Sequence, residues 1–579
     1  MKISLLFILS TIFYFSVYSQ KPALLNLKYE QNYTPTYYEV IEMFKVLDAN
    51  YENATLLENG LTDSGKPLHT FVINNKNEFD PVKIKQQGKS VLLINNGIHA
   101  GEPCGIDASL KFADNILRNK DGLSEILDNT VIVIIPVYSI GGVLNRSAYH
   151  RSGQTTPYET GFRGNAGNYD LNRDFVKCDS ENAKNFNRIF AQWDPDVFLD
   201  THTTNGSQHQ YSVTLIAPQP DMFPPTQEKF LRNKMLPSLF GNMKKGEYEL
   251  IPYVSWMYPD PKRGIKMTQE SARYSSGYAS LFNSYGMMTE NHVYKDYPDR
   301  VKSAYQFIEV LARFTSENSN EIIDSRKKGN EETIATKTHS IKFELDTTQY
   351  QEIEFRGYEV DAKQISPVSG LERFGYDLNK PYTARIKYFD VYKPTDKIKK
   401  PKYYILPQAW KGVVNRLEWN GIEFSRLAKD TIIEVEIDYI VDYSSPEKPY
   451  NGHFFHQEVS TRSEVQKIRY YAGDLVIPTR QKKVKYLIEM LEPKGRDSFF
   501  KWNFFDNILD SREYFSSYGF EENAIKYLEE HPDFKEKFEE KQKTDPEFSK
   551  NHRAQLAYIY NNTEWAEKSF KRYPVGRVF

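Results

Sequence analysis

Short apolar runs alternate with helical stretches from about residue 36 to 320, and this alternation leaves the chain few folds to choose from. Val91-Leu92-Leu93-Ile94, Val131-Ile132-Val133-Ile134-Ile135 and Val197-Phe198-Leu199 are each apolar without interruption. A strand with one wet face would alternate polar and apolar residues, so an unbroken run means that both faces are covered. Between the runs lie segments of helical spacing such as Gly105 to Arg118 and Glu181 to Gln192. Strand and helix in turn predict an α/β domain with a mostly parallel sheet, helices on its faces, and any ligand crevice at the carboxyl ends of the strands.

That domain accounts for only part of a chain of 579 residues, 40% of them hydrophobic, which is long enough for several packed domains. Met1-Lys2 followed by the apolar run Ile3 to Val17 and the small Ser19 reads as an export signal over residues 1–19. A secreted or periplasmic location is expected, with no integral membrane segment once the signal is removed. The α/β domain is assigned to 20–320. Residues 321–338, rich in Asn, Glu, Lys and Ser, read as a linker. Residues 339–490 carry alternating runs such as Ile341 to Leu345 and Thr431 to Ile440, a β-sandwich or barrel signature. Residues 491–579 return to helical spacing, broken by Pro532 and Pro546, and read as a short helical cap. The formal net charge of -2 argues against a broad nucleic-acid surface, so no nucleic-acid partner is expected. Cys104 and Cys178 are the only cysteines, too few for a disulfide scaffold; they either pair or remain two buried thiols.

The chemistry sits where the apolar runs end. His99 and Glu102 follow Val91–Ile94 in the loop Asn95 to Pro103, three positions apart. A hydrolytic zinc site needs three protein ligands and an open position. His202, delivered by Val197-Phe198-Leu199, supplies the third at the same predicted sheet edge, and Asp200 falls on its side of the strand, placed to orient the ring. Glu290 ends the run Met287-Met288-Thr289 and is the candidate general base. The glycine-rich stretch Thr160 to Phe175 holds Arg163 and Arg173 ten positions apart. Guanidinium groups suit both a developing oxyanion and a terminal carboxylate. Arg146 and Arg151 compete with Arg163 for the first role.

The order His99-x-x-Glu102, Arg163, Asn172-Arg173, His202 and Glu290 resembles the M14 family of zinc carboxypeptidases, over roughly residues 36 to 315. The ten-residue spacing of the arginines is similar to the cytosolic branch, and Gly473 to Gln481 with Trp502 to Asp506 resembles the tail of large exported bacterial members. The resemblance implies an α/β fold with a mixed eight-stranded sheet and one Zn²⁺ held by His99, Glu102 and His202. It further implies Arg163 as oxyanion arginine, Asn172 and Arg173 as carboxylate clamp, Glu290 as base, and a peptide with a free terminal carboxylate as substrate. A zinc amidase or deacylase on a wall-derived or non-peptide amide is the alternative, as is an inactive surface-binding protein. Val137 to Gly142 replaces the family's usual Asn-Pro-Asp-Gly, which implies a reshaped rim, and Asp174 stands where Asn is common, which puts carboxylate binding in question. Tyr274 or Tyr278 would serve as the active-site tyrosine. Arg273 falls in the neighbourhood of the specificity pocket, where it would favour an acidic substrate side chain.

Overall fold

The computed structural model describes residues 25–204, 206–255 and 260–579, and the segment read as an export signal lies outside them. Eight strands form one sheet: β1 (Ala54–Leu61), β2 (Pro67–Ile73), β3 (Ser90–Asn95), β4 (Thr130–Ile135), β5 (Val197–Thr204), β6 (Val213–Ile216), β7 (Leu250–Pro252) and β8 (Tyr285–His292). They lie side by side in the order β1-β2-β4-β3-β5-β8-β6-β7. The central strands β4, β3, β5 and β8 run parallel, as expected. The flanks do not: β1–β2, β2–β4 and β8–β6 are antiparallel, so the sheet is mixed. The five residues between β1 and β2 are too few for a crossover and force a hairpin.

The unbroken apolar runs are explained by the two cores. Leu92, Ile94, Ile132, Ile134, Val197 and Leu199 face one core, packed by Phe44 of α1 (Tyr37–Asn50), Phe112 and Ile116 of α2 (Cys104–Leu117), and Phe307 of a later helix, α4 (Tyr297–Glu317). Val91, Leu93, Val131, Val133 and Phe198 face the other, against Phe186 and Phe190 of α3 (Glu181–Trp193). Tyr404, Leu417, Leu475 and Leu487, from the far half of the chain, belong to this second core too. The core on this side of the sheet therefore continues through α3 into the C-terminal regions.

Residues 321–338 are not the linker expected from their polar composition. Ser319 to Ala335 form α5, which buries Ile322, Ser325 and Arg326. Arg326 pairs with Asp194 and, at 3.0 Å, with Asp196 at the start of β5, so a charge that composition marks as solvated is neutralised inside. The region 339–490 is strand-rich, but its strands are shared among three sheets rather than closed into one sandwich. The hairpin Gln351–Ile365 with Glu372–Phe389 adds Ile265–Lys266 from the α/β region. Thr338–Leu345 pairs with Tyr392–Lys399. A six-stranded sheet contains Tyr403–Leu406, Thr431–Ser444, Gln457–Tyr470 and the C-terminal Gly576–Val578. Residues 491–579 are accordingly helical only in part. Ser517–Glu530, Pro532–Thr544 and His552–Asn561 enclose a small core of their own around Phe520, Phe538 and Leu556, and the chain then returns to the sheet. Cys104 and Cys178 are free, buried thiols. No helix among the described residues is long and apolar enough to cross a membrane.

Candidate metal centre

β3 and β5 are neighbours, with Asn95 opposite Asp200, so the loop after β3 and the end of β5 meet at one edge. There the ligating atoms of His99, Glu102 and His202 lie within 4.8 Å of one another, all three residues buried. His99 Nδ1 is 3.2 Å from Glu102 Oε1, and His202 Nδ1 is 3.1 Å from Glu102 Oε2. The opposite ring nitrogens are held by carboxylates: His99 Nε2 lies 3.1 Å from Asp170 Oδ1 and His202 Nε2 2.9 Å from Asp200 Oδ2. An Nε2–H donated outward leaves each Nδ1 lone pair facing the centre. Two imidazoles and a carboxylate so oriented fit a zinc ion with an open side. Burial works to raise the Glu102 carboxyl, but His99, Arg151 and His202 outweigh it and hold it well below the usual carboxylate range. Burial likewise disfavours charge on His202, and Asp200 and Glu102 overcome it, raising the imidazole well above its ordinary value.

Of the three arginines that compete for the oxyanion role, two reach this cluster. Arg163 donates to Asp170 Oδ2 through Nε at 3.0 Å and Nη2 at 2.9 Å, and its Nη1 lies 3.7 Å from Glu102 Oε1. Its side chain is 47% exposed. Arg151 is more enclosed, with Nη1 2.5 Å from Glu102 Oε1 and Nη2 donating to the Thr203 carbonyl. Arg146 is turned away, onto the Thr34 and Pro35 carbonyls. The altered rim has a visible purpose: a Cβ on Gly141 would sit 2.5 Å from Ala166 N, and one on Gly142 2.5 Å from Phe162 O. Two glycines there let the Arg163 turn lie directly on the loop after β4. Asp170, which joins Arg163 to His99, was not singled out in the sequence, although it opens the Asp170-Leu171-Asn172-Arg173 stretch.

That stretch forms a single turn in which Asp170 accepts from the Asn172 amide. Asn172 Oδ1 accepts from Ser275 N at 3.2 Å, and Arg173 lies with its guanidinium carbon 4.3 Å from the centre of the Tyr274 ring. Tyr274 is thus at the clamp. Tyr278 is fully buried and donates to Asn420 Oδ1 at 2.7 Å, a core residue rather than a cleft one. Asp174 points away, accepting from Lys177, Asp179 and Ser180, so its carboxylate braces the next turn instead of the clamp. Arg273 corrects an expectation. Its Nε is 2.6 Å from Asp497 Oδ1 and its guanidinium packs over Phe455 and Trp502, so its charge is already neutralised and is not offered to an acidic substrate side chain.

Glu290 is opposite His202 in the β8–β5 register, so both side chains leave the same face of the sheet. Its Oε2 is buried without a hydrogen-bond partner among the described residues. Burial first, then the neighbouring Glu102 and Glu270 carboxylates, push its carboxyl up to about 8, against the pull of His202 and Arg151. Glu270 is a second residue that sequence reading missed. It is buried, accepts from Ser276 Oγ at 2.5 Å, and feels both His202 and Arg173. No apolar run or spacing marks it, because it arrives on an irregular segment.

The chain is similar to several known proteins. Carboxypeptidase 2 of Trichophyton tonsurans is 20% identical over 430 residues, covering 70% of this chain and 72% of that protein. Its counterpart in Trichophyton rubrum is 19% identical over 432 residues, with 70% and 72% covered. Among solved structures, a metallo-carboxypeptidase from Burkholderia cenocepacia is similar over 49% of this chain and 69% of its own, at 13% identity and a TM-score of 0.36. Carboxypeptidase A from Helicoverpa armigera gives 15% identity, 49% and 74% coverage, and a TM-score of 0.37. The zinc carboxypeptidase model of the M14 peptidases matches residues 40–369 in one stretch that takes in every residue of the centre. This chain belongs to the zinc carboxypeptidase family.

Proposed function

We propose that this protein removes the C-terminal residue from peptides, using one zinc ion held by His99, Glu102 and His202. The observation that carries the reading is the convergence of three buried ligating groups within 4.8 Å at the same sheet edge as Glu290. A zinc ion there supplies the positive charge that acidifies water and polarises a carbonyl. Asn172 and Arg173 hold the substrate's terminal carboxylate, the guanidinium matching its two oxygens and the amide fixing its direction. Glu290 takes the proton from the attacking water and returns it to the leaving amine. Its desolvated carboxyl has the raised proton affinity that such a shuttle needs near neutral pH. Arg163 faces the developing oxyanion. Arg163 is paired with Asp170 through Nε and Nη2, but its side chain is 47% exposed against 13% for Arg151, which leaves its Nη1 edge the more accessible to substrate. The basic start, apolar run and small Ser19 of residues 1–19 support export of the mature protein.

A blocked dipeptide with a free carboxylate and its C-terminal amide test this directly. The zinc-loaded protein should hydrolyse the acid about 100-fold or more faster than the amide, since the half-buried Arg173 gains a charge-assisted pair from the carboxylate that an amide does not offer. Chelation should abolish the rate and zinc restore it. Equal rates on acid and amide would overturn the carboxypeptidase reading in favour of a general amidase.

A further inference from the structure

The clamp is completed from the other end of the chain. Arg173 Nε donates to the Tyr450 hydroxyl at 3.1 Å, across 277 residues of sequence. Tyr450 lies between the strands Thr431–Ser444 and Gln457–Tyr470 of the six-stranded sheet, in the loop that joins them. The loop is stiff at that point. Tyr450 and His453 exchange backbone hydrogen bonds of 2.7 and 3.1 Å around Asn451 and Gly452. Those two residues have φ of 48° and 86°, the left-handed pair that a two-residue hairpin turn requires and that Asn-Gly adopts most readily.

The turn is anchored on both sides, by the α/β region and by the C-terminal region. His453 Nε2 is 2.8 Å from Asp179 Oδ2, six residues beyond Arg173, and Asp179 is itself paired with Lys177 and Arg416. The Tyr450 ring stacks on Trp502 at 6.1 Å with planes 21° apart, and Arg273, locked to Asp497, packs against the same two rings. Arg173 is therefore enclosed on one face by Tyr274 and held along its Nε edge by Tyr450, while Nη1 donates to the Asn172 carbonyl at 2.7 Å. A guanidinium whose plane is already fixed binds a carboxylate bidentately at a smaller cost in rotamer entropy than a flexible one.

We infer that Tyr450 is a positioning residue for substrate: by accepting from Nε it fixes the plane in which Arg173 presents its remaining N–H groups to the terminal carboxylate. The strand-rich region after residue 400 is thereby part of the peptidase site rather than an appendage to it. The inference deepens the carboxypeptidase reading and rests on it. Tyr450→Phe in the zinc-loaded full chain keeps the stack on Trp502 and removes only the acceptor. It should raise KM for a blocked dipeptide acid about 5- to 10-fold with kcat within about twofold, the loss of one hydrogen bond to a charged group. Inhibition by the product amino acid should weaken by the same factor, while inhibition by the amino acid amide stays unchanged. His453→Leu, which has no donor for Asp179 and leaves Tyr450 in place, should raise KM in the same direction by less. A lowered melting temperature in both variants with KM and product inhibition unmoved would overturn the proposal and leave the carboxypeptidase reading standing. A wild-type chain that cleaves neither acid nor amide would overturn both.

Discussion

Glu290 and the pair His209 and His292 illustrate how burial sets the charge of single groups. Glu290 lies outside the ligand triad, so Glu290→Gln should keep stoichiometric zinc by metal analysis while kcat falls about 10²- to 10⁴-fold, the usual contribution of a positioned acid–base group. Full activity in that variant would sink its assignment as base. His209 and His292 are buried with ring centres 4.3 Å apart. Burial, aided by Lys295, pushes His209 down to about 3, and burial with His209 beside it holds His292 well below its ordinary value. Their folded-state values lie below those of the unfolded chain, so the unfolded chain binds more protons between the two. Stability is therefore complete above about pH 6.5 and is lost as pH falls toward 3, by about 3 kcal/mol at pH 4 from His209 alone. Urea melts at pH 7.5 and 4.5 should show His209→Gln losing less stability on acidification than the natural sequence; parallel losses would refute the account.

At the scale of elements, α5 shows how a polar segment becomes structural. Arg326 crosses from the helix to Asp194 and Asp196 at the lead into β5, the strand that carries His202. Arg326→Ala leaves the buried Asp196 carboxylate without its cation, while the half-buried Asp194 keeps Lys85, and should cost about 3 kcal/mol, read as a lower thermal midpoint. A surface helix with solvated charges would lose almost nothing. The neighbouring strand β5 also explains the tight fit of α2: a Cβ on Gly105 would come within 2.0 Å of Thr201 Oγ1, so helix and strand approach more closely than any side chain at that position allows.

At the scale of the whole molecule, the α/β region and the C-terminal regions share one core. Tyr404, Leu406, Leu475, Leu487 and Phe499 pack in the same cluster as Val91, Leu93 and Phe198 of the central sheet. Ending the chain at residue 400 would expose the side of this core that the C-terminal regions cover, and a large exposed apolar patch drives aggregation. The truncated protein should be insoluble or molten on expression, judged by solubility and near-ultraviolet circular dichroism. A soluble, cooperatively melting fragment with full peptidase activity would contradict both the shared core and the role of Tyr450.

The central strands were legible in the sequence because burial on both faces writes itself as unbroken apolar runs, and side-chain alternation then carries chemistry to the strand ends. His99, Glu102, His202, Asp200 and Glu290 all stand at or just beyond the ends of such runs, and the sheet order brings them to one edge. Other features depend on partners far away in sequence. Asp497 neutralises Arg273, Asp194 and Asp196 turn an apparent linker into a buried helix, Glu270 raises Glu290, and Tyr450 braces Arg173. Local spacing reports which faces of an element are apolar. It carries no record of which distant charge or hydroxyl will stand opposite a given side chain, and that pairing decides whether a buried arginine recognises substrate or holds the fold together.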